Sequence, residues 1–396
     1  MAASMRLGKA ADPERQARLV DAIQSAHLDG VLCASASEVL LLSGYWPVMA
    51  ESIAIASADG SVTVLVPEDE LELAEKTAWA SLVPYKPAGL KTLKNAIDLV
   101  REPLASVLKS TGLERARMGL QLGHGVQPAS YLVMNEYRSS LPELLSELLP
   151  HAVLKPCDDL LEELKAVKTK RELGLLSHAC AVAAAGFAAA SDAMGPGTSE
   201  VDVAAAAQAA FDKTPEAEGL QRSYGYFYCM SGPNAAKASA EFARTRRRVI
   251  EEDDLVMIHA NTCADGHWTD ITRTFTAGAP SKWQRDVRSA IDEARHAALA
   301  TIRPGVTGSA VDKAARDVME KRGLGKEFKH ATGHGVGYMA ANPNGRPRIH
   351  PLSPDVLCEG MTFNVEPAAY FDGVGGMRHC DVVTVTKDGA RVLSDF

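Results

Sequence analysis

The feature that most constrains this chain is a repeat. Residues 160–194 form a long, Ala-rich, helix-periodic run that stops at Gly195-Pro196-Gly197, and Thr198 or Ser199 then caps a second helix reaching Phe211. About 110 residues later the order returns. A helix over 282–302 stops at Arg303-Pro304-Gly305, a second covers 309–321, and Val311-Asp312 stands where Val201-Asp202 stood. A hairpin follows each pair. One runs 254–259 and 269–275 around Asp265-Gly266, the other 361–366 and 377–386 around Asp372-Gly373. Two copies cannot make a solenoid. They predict a pseudo-symmetric domain, a curved sheet backed by helices with a cleft at the pseudo-axis.

The residues before the repeat alternate helix and strand. A helix is expected over 13–25, an apolar strand over 30–33, an apolar segment over 39–44, and a hairpin of 53–56 with 62–66 around Asp59-Gly60. Helical patterns at 71–77 and 90–109 precede an apolar strand at 118–122, and two prolines between 150 and 157 punctuate the end. The expectation is an α/β (α+β) chain of two domains, 1–156 and 157–396.

Composition narrows the function. Hydrophobic residues make up 46% and charged residues 23%, enough for a sizeable core, and a net charge of −8 argues against nucleic acid or an anionic membrane as partner. Seven cysteines, an odd number without CxxC spacing, exclude a disulfide framework and a Cys-only zinc ribbon, and each except Cys380 is expected to be a small buried hydrophobe. That usage fits a reducing cytosol. The apolar run 180–190 is about half a membrane span. No apolar block marks an export signal in the first twenty residues, so a cytoplasmic location is expected.

Each hairpin carries polar side chains where a strand should be apolar. His259 ends the run Leu255-Val256-Met257-Ile258, and Asp270 opens the return strand; Glu366 follows Phe363-Asn364-Val365, and Cys380 lies within Arg378-His379-Cys380-Asp381. Strand periodicity puts His259 on one face with Leu255 and Met257, and Asp270 on one face with Thr272 and Thr274. Between the hairpins lies Thr332-Gly333-His334-Gly335-Val336-Gly337, whose glycines leave His334 projecting into the cleft. Tyr224, Tyr226, Phe227 and Tyr228 read as core, with cleft lining as the alternative, and the basic run 244–248 reads as a solvated strand entry.

At these residues the chain resembles the pita-bread metallopeptidase family, which includes aminopeptidase P, prolidase, methionine aminopeptidase and the metal-free creatinase. Gly266-x-x-x-Asp270-Ile-Thr-Arg-Thr-Phe, Gly333-His334-Gly335-Val336-Gly337, Glu359-Gly360-Met361-x-x-x-x-Glu366-Pro367 and Gly375-Gly376-x-Arg378 carry the resemblance. Leu164 to Lys168 and Ser231-Gly232-Pro233-Asn234 support it, and Leu42-Ser43-Gly44-Tyr45 resembles the creatinase–prolidase N-terminal domain. The resemblance implies a creatinase-type front domain, a pita-bread domain and a homodimer. It also implies a site of two metals held by Asp, Asp, His, Glu and Glu. Asp270, His334 and Glu366 match that set. His259 stands at the first Asp position and Cys380 at the last Glu position, Ser239 replaces a usual histidine, and Ala341-Asn342 replace a usual His-Glu pair.

The expected activity is therefore metal-dependent hydrolysis of a C–N bond in a small, carboxylate-bearing substrate. One divalent ion, zinc or iron rather than manganese, would sit among His259, Asp270, His334, Glu366 and Cys380. His259 is the candidate general base, Arg378 a fork for substrate carboxylate or a partner of Asp381, and Tyr338, Asn342 and Arg346 candidate pocket residues. Three alternatives stay open: a lyase acting on a small osmolyte-like molecule, a metal-free hydrolase with Cys380 as nucleophile, and a non-catalytic binding protein.

Overall fold

A computed structural model of the chain describes residues 6–49, 51–91, 93–122, 140–214, 221–239, 244–340 and 345–396. It divides into two compact units, Met1–Leu164 and Lys165–Phe396. The front unit is built on a seven-stranded mixed sheet. In spatial order its strands are Arg6–Leu7, Ser81–Tyr85, Val62–Pro67, Ile53–Ser57, Gly30–Cys33, Arg117–Leu120 and Val153–Pro156. Gly30–Cys33 is buried along its whole length, as a run of apolar residues in a sheet covered on both faces should be. The apolar segment after it is a helix, Ala36–Ser43, closed by Gly44 at φ 78°. The helix expected from residue 90 starts only at Ala96. Leu90 and Leu93 lie fully exposed, so nothing apolar rewards a longer helix.

The second unit contains both copies of the repeat. The long helical run expected over 160–194 is broken in two, Asp158–Ala166 and Lys170–Ala193. The break is a capping box: Thr169 Oγ1 accepts from the Glu172 amide, and Glu172 carboxylate accepts from the Thr169 amide at 3.0 Å. Lys168 N meanwhile donates to Gly360 O at 2.8 Å, tying the break to the second hairpin. Lys170–Ala193 has the length and apolarity of a membrane-crossing helix, but Cys180, Val182, Ala183, Phe187 and Ala190 pack in a core with Phe227, Val256, Ile258 and Ile271. In the second copy, helices Lys282–Thr301 and Gly308–Lys321 pack on Phe363, Val365 and Val383.

The first hairpin is continuous, Leu255–Ala264 against His267–Thr276, with His259 paired to Thr272 and Asn261 to Asp270. Asp265 and Gly266 both have positive φ, the conformation a two-residue hairpin turn needs to follow the strand twist. Ser223–Ser231 adds a third, outer strand. The second hairpin is not continuous. Thr362–Val365 pairs with Asp381–Thr386, Ala368–Phe371 pairs with Gly375–Arg378, and the ladder breaks at Glu366-Pro367 and His379-Cys380. Pro367 has no amide to donate. The Glu366 amide goes instead to Thr332 O at 2.8 Å, and the Cys380 amide to Thr272 O at 3.0 Å. Thus the break joins the two hairpins at the Thr272–Cys380 bridge.

The glycine-rich segment crosses between the hairpins, with Gly335 bridged to Phe363 and Gly337 to Trp268. A Cβ on Gly333 would lie 1.9 Å from Asn364 O, and one on Gly335 2.2 Å from Arg346 O, so only glycine permits the approach. Cys33, Cys157, Cys180, Cys229 and Cys263 are buried as expected of small hydrophobes, Cys380 is buried too, and Cys358 is exposed on the loop before the second hairpin, contrary to that expectation.

Behind the bridge, the fully buried Asp381 accepts from Arg273 Nη2 at 2.9 Å, from Arg295, and from Ser394 Oγ at 3.0 Å. It is held well below the usual carboxylate range: burial opposes ionisation, but His379, Arg273 and Arg295 outweigh it. Removing one partner of such a cluster leaves uncompensated buried charge. Asp381→Ala should lower stability by about 3–5 kcal/mol, read from the urea midpoint; a loss under about 1 kcal/mol would show that the arginines find water.

Candidate active site

The hairpins, their junction and the glycine segment bring six of the sequence-marked residues into one place. His259 is 5% exposed and points from the middle strand of the first sheet. Its Nδ1 lies 3.0 Å from Thr272 Oγ1, 3.0 Å from Arg378 Nη2 and 3.7 Å from Asp270 Oδ1. A guanidinium can only donate, so Nδ1 accepts and the ring proton sits on Nε2. Burial, against the pull of Asp270, pushes the His259 pKa down to about 4, so the ring is neutral.

His334 is arranged differently. Its Nδ1 lies 3.1 Å from Gly335 O and donates to it. Its Nε2 faces Asp270 Oδ2 at 3.6 Å, Glu366 Oε1 at 4.0 Å and Asn364 Nδ2 at 3.2 Å. Burial alone would lower its pKa, yet Asp270 and Glu366 raise it to about 9. The converse holds at Asp270: burial opposes its charge, but His334, His259 and Arg378 keep its pKa at about 2. These two carboxylates therefore draw positive charge to the point that His334 Nε2 faces.

Arg378 is the third centre. Its Nε donates to Thr272 Oγ1 at 3.0 Å, its Nη1 to Tyr370 OH at 3.4 Å, and Nη1 lies 3.7 Å from Glu366 Oε2. With Nη2 on His259, every nitrogen of the fork is engaged by the protein. Asp381 is held by Arg273 and Arg295 instead. Tyr370 OH continues the chain to His330 Nε2 at 2.9 Å.

Cys380 is fully buried. Its thiol donates to Asp270 O at 3.1 Å and lies 3.6 Å from Asn364 Nδ2. Burial first, then Asp270 and Glu366, raise its pKa well above the ordinary value, so it is a protonated thiol here. Among the described residues no histidine hydrogen-bonds it, and a nucleophilic thiolate would need such a base.

Tyr338 lies 5% exposed, its hydroxyl donating to Glu172 at 2.5 Å. Asn342 lies outside the described residues, as does Ala341. Thr272, Asn364 and Tyr370 belong to the network but were not singled out from sequence. The signal existed for two of them, because Thr272 is two residues from Asp270 and Asn364 two from Glu366, on the same strand faces.

Comparison with known proteins places the chain in a family. Residues 15–167 match the Creatinase/Prolidase N-terminal domain, and residues 174–387 match Metallopeptidase family M24. The chain belongs to metallopeptidase family M24. It is a hydrolase of the aminopeptidase P/creatinase-like kind. It is 28% identical over 382 residues to an Xaa-Pro dipeptidase of Pyrococcus furiosus, covering 96% of this chain and 97% of that one. An Xaa-Pro dipeptidase of Lactobacillus helveticus is 32% identical over 234 residues, 59% of this chain and 61% of its own. The solved prolidase from Pyrococcus furiosus superposes with a TM-score of 0.75 at 26% identity, covering 95% of this chain and 99% of that one.

Whether the donors suit a divalent ion can be judged from the ring of His334. Among the described residues no group of three or more His, Cys, Asp or Glu side chains is gathered tightly enough to hold an ion outright. Yet His334 has the orientation of a ligating imidazole, one nitrogen fixed by a backbone carbonyl and the other facing two carboxylates. Asp270, His334 and Glu366 are the side chains that would hold an ion there. The acceptor nitrogen of His259 is engaged by Arg378, and Cys380 could ligate only on losing its proton.

The burial pattern has a direct chemical consequence. In the native protein a thiol reagent should modify Cys358 and spare Cys380, as peptide mapping would show, and Cys358→Ser should abolish the fast reaction. Rapid modification of Cys380 would restore the thiolate reading.

Proposed function

We propose that this M24 member is a single-metal hydrolase of an amide-like C–N bond in a small, carboxylate-bearing substrate. The orientation of His334 carries the reading: its Nδ1 is committed to Gly335 O while Nε2 faces Asp270 and Glu366. These three residues would hold the ion, with Cys380 joining as thiolate, a donor that favours zinc or iron over manganese. When bound, the ion would supply Lewis acidity to the scissile carbonyl. The Xaa-Pro dipeptidase relatives support a dipeptide-like substrate and the hydrolytic reaction.

The chain's own residues then divide the remaining work. Arg378 fixes the tautomer of His259 through Nη2 and holds Thr272 through Nε. His259, neutral and 3.7 Å from Asp270, is the group best placed to take a proton, after releasing Nδ1 from Arg378. Since Thr272, Tyr370 and Glu366 hold the rest of the Arg378 fork, the substrate carboxylate is met by other side chains. A homodimer in the cytoplasm completes the reading and rests on the family resemblance.

Protein purified without chelators should carry about one ion per chain, measured by elemental analysis; less than about 0.2, or close to two, would overturn the single-metal reading. Chelation should abolish hydrolysis of a dipeptide panel, and zinc or iron should restore it. His259→Ala should lower kcat by about 10²–10⁴-fold, and full turnover by that variant would end the proton-transfer assignment.

A further inference from the structure

The outer strand Ser223–Ser231 places an aromatic wall beside the site. Its residues alternate. Phe227 and Cys229 are buried at 4% and 0%, packed into the core with Phe187 and Phe211, whereas Tyr224, Tyr226 and Tyr228 stand on the opposite face, Tyr224 being 49% exposed. Cross-strand partners share a face of a sheet. Tyr228 is in register with His259 and, beyond it, Thr272; Tyr226 is in register with Asn261 and, beyond it, Asp270. The tyrosines therefore share the face that carries the candidate donors.

Contacts bear this out. The rings of Tyr226 and Tyr228 are 4.6 Å apart at 50°, and Tyr226 meets the His259 ring edge-on at 6.3 Å. The Tyr226 hydroxyl donates to Asn261 Oδ1, and Asn261 Nδ2 donates to Thr269 O at 3.2 Å, so the ring of Tyr226 is held in place. Farther along, Tyr224 packs edge-on against Trp268 at 5.9 Å. Both Tyr226 and Tyr228 are half-buried rather than sealed.

We infer that Tyr226 and Tyr228 are the specificity wall of this site, and that they take a substrate carrying a flat aromatic group next to the bond to be cleaved. The inference rests on the hydrolase reading above and adds the substrate class to it. Ring faces and edges favour offset or edge-on partners, which a planar substrate group supplies and a puckered aliphatic ring does not.

The test compares two dipeptides of equal bulk, Phe-Gly and cyclohexylalanyl-Gly, on the metal-loaded full chain, together with their reduced-amide analogues in calorimetric binding. The aromatic member of each pair should be preferred by about 3–10-fold in kcat/KM and in affinity. Tyr226→Leu and Tyr228→Leu should bring that ratio toward one, while Tyr226→Phe, which keeps the ring, should retain it. Equal handling of the two dipeptides, or a ratio unchanged in both leucine variants, overturns the inference and leaves the hydrolase reading standing. Preferential binding of the aromatic analogue with no turnover of either dipeptide supports the wall and counts against the hydrolase reading. Circular dichroism of each variant separates loss of the wall from loss of the fold.

Discussion

Two hairpins meet at a single backbone pair, Thr272 with Cys380, and the chemistry of the protein depends on that junction. It exists because the second hairpin stops pairing with itself. Glu366 and Cys380 fall in the gap, their amides drawn to Thr332 and Thr272. A continuous ladder would alternate these side chains between core and solvent; the break leaves Glu366 facing His334 and Cys380 against Asp270. Asp381 secures the arrangement from behind, gripping a hairpin strand and a helix through two arginines. The glycine segment secures it from the side, since any side chain at Gly333 would collide with the strand that carries Glu366.

Much of this was legible in the sequence. Helix–helix–hairpin written twice specifies the second unit, because hydrophobic periodicity and turn residues are local signals. His259, Asp270, His334 and Glu366 stand out for a related reason, each interrupting an apolar pattern without a local structural role. What could not be read depends on tertiary partners. The break of the long helix at Thr169 has a local sign in the capping box Thr169-x-x-Glu172, but its tie from Lys168 to Gly360, far away in sequence, does not. The split of the second hairpin needs Thr332 and Thr272. Arg378 shows the same limit: its place in the motif was plain, but its engagement with His259, Thr272 and Tyr370 follows only from how the strands are set against one another.

The two copies of the repeat have also been put to different uses. In the first, the extra strand lies outside the first arm of the hairpin and presents tyrosines to the site. In the second, Gly389–Val392 lies outside the return arm, away from the strand of Glu366. One half supplies an aromatic surface, the other the interrupted strands. Symmetry sets the frame, and the departures from it supply the chemistry.

Arg378 has one last consequence. A site designed around two acidic side chains would ordinarily repel itself until an ion arrived. Here a guanidinium fixed by the side chains of Thr272, His259 and Tyr370, with the proton that His334 readily holds, balances Asp270 and Glu366 from within. That internal balance lets the unit close around both carboxylates without a further counter-charge. An ion entering there, as proposed, would meet a neutralised pair of carboxylates and would have to displace the proton that His334 holds.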